Sequence, residues 1–135
     1  MKIAFIFLLA QFALCKPIKV THIQDLNFES LVQGDGKKKI KRGRRVQNNA
    51  RFKVTGNKNT NYSIILPDRF TISRDGLGGF PLTVKSLRSR PEPGANGDLG
   101  KKGRQTIYIG ATLQAIPNNQ PIGSYSGSFL IEVLY

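Results

Sequence analysis

The stretch "SYSGSFLIEVLY", Ser124 to Tyr135, decides the fold class, because it alternates with a period of two residues. The alternating set is Tyr125, Gly127, Phe129, Ile131, Val133 and Tyr135. A period of two residues is the signature of a β-strand with one face toward a core. On the other face only Glu132 interrupts Leu130 and Leu134. A strand that is apolar on both faces must be covered or paired in the folded protein.

Shorter alternating stretches precede this one. They are "RFKVT" (51–55), "YSIIL" (62–66), "FTIS" (70–73), "PLTVKSL" (81–87) and "QTIYIGATL" (105–113). Segments rich in Gly, Asn, Asp and Pro separate them, and the segment 92–103 is the most loop-like. No stretch after the N-terminus keeps a helical period. The pattern predicts an all-β fold, an immunoglobulin-like antiparallel β-sandwich of about seven or eight strands.

The first fifteen residues, "MKIAFIFLLAQFALC", have the composition of an export signal. Lys2 precedes an apolar run, and the small residues Ala13 and Cys15 follow it. The run is too short for a hydrocarbon core, which needs roughly 20 residues. We therefore expect a cleaved signal peptide over 1–15, a single domain over 16–135, and a location in the periplasm, at the cell surface or outside the cell. Lipid attachment at Cys15 is the weaker alternative, because Leu14 stands where a bacterial lipobox has a small residue.

The residues that usually carry catalysis are scarce. Cleavage at Cys15 would remove the only cysteine and with it any disulfide or thiolate chemistry. The single histidine, His22, cannot build a common zinc site without cysteine, and we expect it to be a partly exposed strand residue. We therefore expect no enzyme, no catalytic residue, no cofactor and no metal. A hydrolase with an unmarked pair of carboxylates is a distant third hypothesis.

The most unusual feature is the basic run, "KKKIKRGRR" at 37–45, in a chain of formal net charge +13. Its cations are the candidate polyanion-binding residues Lys37, Lys38, Lys39, Lys41, Arg42, Arg44 and Arg45. One interpretation is a solvated hairpin whose charges keep a sheet edge from pairing with other chains. The other is a site for surface polysaccharide or another polyanion. The export signal argues against a nuclear address, and the absence of aromatic residues between Lys37 and Arg51 argues against nucleic acid.

Three motifs resemble a known family. "FKVTGNKNTNYSIILP" (52–67) and "PIGSYSGSFLIEVLY" (121–135) are similar to two motifs of the DUF4402 family, exported bacterial domains of unknown function that look fimbrial or pilin-like. Spore-coat-U-type domains end similarly. "DLNFESLVQG" (25–34) is similar to an early motif of the family, with Glu29 in place of its usual Gly. The basic run replaces a strand that is usually rich in Thr and Val. The resemblance implies an immunoglobulin-like sandwich with a surface or fimbrial role and no catalytic residues.

Two functional hypotheses follow. The first is a non-enzymatic exported surface protein, a pilin-like structural or adhesive subunit. The alternative is a secreted monomeric module that binds polyanions through a basic loop. For the first, the expected partner is another subunit or an export chaperone that adds a strand beside the terminal strand, and "KPIKVTHI" (16–23) is a candidate donor. The simpler arrangement places the terminal strand between two strands of its own domain.

Overall fold

The computed structural model describes residues 6–9, 18–75 and 80–135. Within these ranges all regular secondary structure is β-strand. The strands are β1 (Ile6–Leu9), β2 (Lys19–Gln24), β3 (Lys38–Ile40), β4 (Ala50–Thr55), β5 (Asn61–Ile65), β6 (Arg69–Arg74), β7 (Leu82–Arg90), β8 (Gly94–Asp98), β9 (Arg104–Leu113), β10 (Tyr125–Ser126) and β11 (Leu130–Leu134). The predicted all-β sandwich is confirmed. In the described ranges there is no helix long and apolar enough to cross a membrane.

The strands form two sheets. The small sheet has the order β1-β11-β5-β8, and the large sheet has the order β10-β6-β7-β9-β4-β2, with β3 also paired to β9. All pairings are antiparallel except that of β1 with β11, which is parallel. The large sheet therefore presents one face to the small sheet and one face to solvent.

Strands β3 and β4 lie end to end along the same edge of β9. Ile40 is opposite Ala111, and Ala50 is opposite Ile109 two residues further along. The intervening residues 41–49, called here the β3–β4 loop, leave this edge and return to it. The interpretation of the basic run as a hairpin is therefore wrong, because β3 and β4 pair with β9 and not with each other.

The core forms where the alternating side chains of the two sheets meet. The predicted inward residues of β4 and β9, among them Phe52, Ile107, Ile109 and Leu113, are fully buried. On the small sheet Ile131 is equally buried. Each such side chain contributes roughly 1.5–3 kcal/mol through burial. The two-residue period thus identified the core correctly.

The terminal stretch forms two strands that belong to different sheets. Strand β10 pairs with β6, whereas β11 pairs with β5. The chain crosses between the sheets at Gly127, where a Cβ would lie only 2.3 Å from the carbonyl oxygen of Thr71. Tyr125 and Phe129 remain buried on either side of the crossing. A single continuous terminal strand, as the alternation suggested, would not allow this change of sheet.

Residues 19–23 of the candidate donor segment belong to the protein's own large sheet, and Lys16 and Pro17 lie outside the described residues. Strand β2 pairs with β4, and both Ile18 and Val20 are buried in the core. The structure therefore gives no support to the hypothesis that "KPIKVTHI" is donated to another subunit. His22 on the same strand is exposed, as predicted, and its Nε2 lies 2.9 Å from Oδ1 of Asp25.

The segment expected to be the most loop-like contains strand β8, which pairs with β5. Gly97 allows this pairing, because a Cβ there would lie 2.4 Å from the ring of Tyr62. The Tyr62 hydroxyl donates to Oε1 of Gln105 (2.6 Å), and the backbone N–H of Asp98 donates to the same oxygen (2.9 Å). These bonds join the small sheet to β9. Burial raises the pKa of Tyr62, and the nearby carboxylate of Asp98 raises it further.

We expect the free energy of unfolding to fall as the pH rises above about 10. In the unfolded chain Tyr62 ionises near its ordinary pKa of about 10, whereas the folded, buried phenol keeps its proton. The native state then binds more protons than the unfolded state, and one such group lowers stability by up to about 1.36 kcal/mol per pH unit. Urea unfolding between about pH 8 and 12 should show this slope in the wild type and a shallower one in Tyr62→Phe. Equal slopes in the two proteins would contradict the assignment.

Candidate functional site

The structure separates the seven predicted polyanion-binding residues into two kinds. Six are exposed: Lys37, Lys38, Lys39, Lys41, Arg44 and Arg45. Arg42 is different, because its side chain is only 28% exposed. Its guanidinium donates to the carbonyl oxygen of Ser89 (2.7 Å) and to Oε1 of Glu92 (3.3 Å). Arg42 is thus an anchor for the loop rather than a solvated cation.

The β3–β4 loop crosses the solvent face of the large sheet above Gly110. A Cβ at Gly110 would lie 2.2 Å from the carbonyl oxygen of Ile40 and 2.8 Å from the carbonyl carbon of Lys41. No other residue type fits this approach without moving the loop. Arg42 then extends across β9 to Ser89 on β7. The loop therefore lies on the outer face of the sheet instead of projecting from its edge.

Asn49 holds the loop backbone from its buried side. This side chain is fully buried, and its Nδ2 donates to the carbonyl oxygens of Gly43 (2.8 Å) and Lys41 (3.3 Å). Gln24 on the neighbouring strand donates to the carbonyl oxygens of Gln47 (2.8 Å) and Asn49 (2.7 Å). Buried carbonyl groups need such partners, so these amides fix the path of the loop.

Arg51 supports the same loop from the outer face of β4. Its Nη2 donates to the carbonyl oxygens of Val46 (2.6 Å) and Arg44 (3.1 Å), and its Nε donates to Oδ1 of Asn49 (3.1 Å). The guanidinium carbon lies 5.1 Å from the ring centroid of Tyr108, within range of a cation–π interaction. The loop conformation is therefore set by internal bonds.

The outward positions of the large sheet form a second cationic surface, which was not predicted from the sequence. Nine cationic side chains from six strands occupy the face opposite the buried residues: Lys19, Lys39, Arg51, Lys53, Arg69, Lys85, Arg88, Arg90 and Arg104. We call these nine residues the cationic face. No strand of the large sheet contains Asp or Glu. The face thus has charge of one sign only.

The small sheet has the opposite composition. Its strands contain no Lys or Arg, and they carry the carboxylates of Asp98 and Glu132. The cations of the described strands therefore all belong to the large sheet.

Cations on this face lie close enough to repel one another. Lys85 on β7 is directly opposite Arg69 on β6, and like charges in such positions destabilise a sheet. Arg51 and Arg90 both flank Tyr108, one from each neighbouring strand. Neighbouring strands are about 4.8 Å apart, so Lys85 and Arg69 lie within the Debye length of about 8 Å at physiological salt, whereas Arg51 and Arg90 are two strand spacings apart. A bound polyanion would relieve this repulsion.

Two open depressions lie on the outer face beside the β3–β4 loop. One has a volume of about 390 Å³, and its charged lining residues are Lys39, Lys41, Arg42, Arg88 and Arg90. The other has a volume of about 600 Å³, and its charged lining residues are Arg44, Lys53, Lys102 and Arg104. No carboxylate lines either of them. Each depression combines cations from the loop with cations from the sheet.

The basic run indicates a cationic loop and gives no sign of the cations on the sheet. The missed signal was the placement of Lys and Arg at alternate positions, opposite apolar residues, as in Arg51 and Lys53 around Phe52. On β7 a bulge between Lys85 and Arg88 breaks the period and hides the pattern. Only the register of the strands shows that these cations share one face.

A third depression, at one end of the sandwich, has a volume of about 420 Å³. Buried Gln120 lines it and donates through Nε2 to the carbonyl oxygen of Phe80 (2.6 Å) and to the hydroxyl of Tyr125 (2.9 Å). These bonds fix the loop before β10. Across residues 6–9, 18–75 and 80–135 there is no group of three or more His, Cys, Asp or Glu that could hold a metal ion.

We expect Asn49→Ala to loosen the β3–β4 loop, because two carbonyl groups lose their donor. The loss of these bonds costs about 1–2 kcal/mol locally, which increases the open population roughly 5- to 30-fold. Limited trypsin digestion followed by mass spectrometry should show faster cleavage after Arg44 and Arg45 by this factor. Asn96→Ala, which removes an amide bonded to Pro93 in another turn, is the control. Cleavage at the wild-type rate in Asn49→Ala would show that Asn49 does not hold the loop.

Comparison with known proteins gives one match. No curated protein and no solved structure matches the chain. The profile of a family described as "Domain of unknown function (DUF4402)" matches residues 18–135, from the residue before β2 to the end of the sequence. This range contains the three motifs, the cationic face and the β3–β4 loop, and it leaves out β1. The chain therefore belongs to the DUF4402 family.

Proposed function

We propose that this protein is a non-enzymatic exported surface protein, a pilin-like structural or adhesive subunit that joins another polypeptide by strand addition along the outer edge of β11. One observation carries the proposal. In the described part of the chain, that edge of β11 is paired only with β1, and β1 lies outside the residues that match the family.

Strand β11 is held in the domain by its other edge and by one of its faces. Glu132 and Leu134 are opposite Ile65 and Ser63 of β5. Ile131 and Val133 point into the core and are fully buried. The strand would therefore stay in place after removal of β1, but the backbone groups that pair with Ile6–Leu9 would lose their partners.

Loss of β1 would leave an edge that favours pairing with another strand. Unpaired backbone donors and acceptors on an edge strand are a template for strand addition. Beside this edge Leu130 is 46% exposed, and no Lys or Arg of β11 is present to prevent pairing. The sequence of β1, "IFLL", indicates the chemistry of the replacement, which is an extended apolar segment running parallel to β11.

Assembly through the small sheet would leave the large sheet accessible. The outer edge of β11 and the cationic face belong to different sheets of the sandwich. An assembled subunit could therefore still present its cations to a surface. This arrangement supports an adhesive role in addition to a structural one.

We expect the exported form, which begins near Lys16, to assemble with rising concentration, whereas the uncleaved chain of 135 residues stays monomeric. The reason is that β1 occupies the edge of β11 only in the uncleaved chain. Light scattering after size-exclusion chromatography gives the mass of each form, and N-terminal sequencing defines the exported one. A monomeric exported form at all concentrations would contradict the proposal and favour the secreted monomeric module.

Two matched substitutions separate edge pairing from general hydrophobic association. Leu130 on β11 and Ile65 on β5 are 46% and 44% exposed on the same face of the small sheet. A lysine at an edge strand opposes strand addition. Leu130→Lys should weaken assembly at least about tenfold, equivalent to about 1.4 kcal/mol, and Ile65→Lys should weaken it much less. Equal effects would assign the association to the apolar face instead of the strand edge.

A further inference from the structure

We propose that the cationic face binds an extended anionic polysaccharide, sulfated or phosphorylated, which lies along strands β4, β9 and β7. This inference does not depend on subunit assembly, because it concerns the other sheet. It also differs from the sequence-based hypothesis, in which the basic run alone formed the site.

The cations are arranged in successive rows along β9, which suits a polymer better than a single anion. Starting at Arg104, the rows are Lys53 beside Thr106, Arg51 and Arg90 beside Tyr108, Arg88 beside Gly110, and Lys39 with Lys85 beside Thr112. Successive rows are two residues apart, which is about 6.6 Å, and the stretch from Arg104 to Thr112 spans roughly 26 Å. A small anion can contact one or two rows, whereas an extended polymer with repeated charges can contact rows on both sides of the loop that covers Gly110.

The β3–β4 loop adds cations that are already in position. Lys41, Arg44 and Arg45 are exposed on a loop whose backbone is bonded to Asn49 and Arg51. A ligand that meets a fixed loop does not have to order it, so less binding free energy is lost. The two depressions on either side of the loop can receive the substituents of a polymer that crosses the face.

The uncharged groups on the face favour sugar over nucleic acid. Tyr108 is the single aromatic residue at the outward positions of β4, β7 and β9, and the guanidinium of Arg51 lies over its ring. Bases that stack on aromatic side chains gain about 1–3 kcal/mol each. These strands offer no uncovered aromatic ring for such stacking. The threonine hydroxyls between the cations can donate to and accept from sugar hydroxyls; they belong to Thr55, Thr83, Thr106 and Thr112.

An anionic lipid surface fits less well. Peripheral binding to a bilayer combines cations with large apolar side chains that enter the headgroup region. The outward positions of β4, β7 and β9 hold Lys, Arg, Thr, Tyr108 and Gly110 and no large aliphatic side chain. These three strands present charge and hydroxyl groups without an apolar anchor.

The test uses the exported protein and size-fractionated heparin as the probe, with calorimetry at several salt concentrations. The face variant is Arg88→Ser with Arg90→Ser. The control is Lys37→Ser with Lys58→Ser, which removes the same charge from exposed loop positions. Each lost contact makes the negative slope of log K against log salt shallower by roughly 0.7–0.9. Because the face variant loses two contacts, it should bind roughly 10- to 30-fold more weakly near physiological salt. The control should change affinity by less than about threefold, and both variants should keep the wild-type circular dichroism.

Three outcomes would overturn the inference. The first is equal loss of affinity in the two variants, because binding would then follow net charge alone. The second is absence of heparin binding by the wild type. The third is tighter binding to oligothymidine or to vesicles of phosphatidylglycerol than to heparin of similar charge. Binding that is stronger for longer heparin fragments, with little affinity for inorganic sulfate, would support a polymer ligand.

Discussion

The close approach of the chain to Gly110 is the constraint on which the candidate site depends. Because this residue has no side chain, the backbone of residues 40–42 passes directly over β9. From that position Arg42 reaches Ser89 on β7, and Asn49 reaches the carbonyl groups of the loop. Any larger residue at this point would push the loop away from the sheet. The loop cations would then move away from those of the face.

The two sheets differ in their charged and apolar residues. The large sheet brings many positive charges together on one face, although neighbours such as Lys85 and Arg69 repel each other in the unbound protein. The strands of the small sheet contain no Lys or Arg, and its strand β11 lies between β1 and β5. A surface of single charge attracts polymers of the opposite sign, and an apolar strand edge attracts another strand. In our proposal, assembly uses the small sheet and leaves the cationic large sheet accessible.

Local patterns in the sequence predicted the parts of the fold that depend on neighbouring residues. The alternation around Phe52 and Ile107 gave both the strands and their buried faces. Strand β8 was not predicted because its glycine-rich sequence has no apolar period. Position 97 must be glycine because the ring of Tyr62, which is distant in sequence, packs against it. The cationic face could not be predicted either, because its residues come from six strands that only the topology brings together. The anchoring role of Arg42 depends on the carbonyl oxygen of Ser89, 47 residues further along the chain.

In our proposal the polyanion lies on the face of the large sheet and not on the basic run alone. Lysine acetylation with and without heparin, read by mass spectrometry, tests it directly because each amine reports its own accessibility. We expect strong protection of Lys53 and Lys85, which lie on opposite sides of β9, and little protection of Lys58 in the loop after β4. Protection confined to Lys37 and Lys38, with Lys53 and Lys85 as reactive as in the free protein, would contradict it.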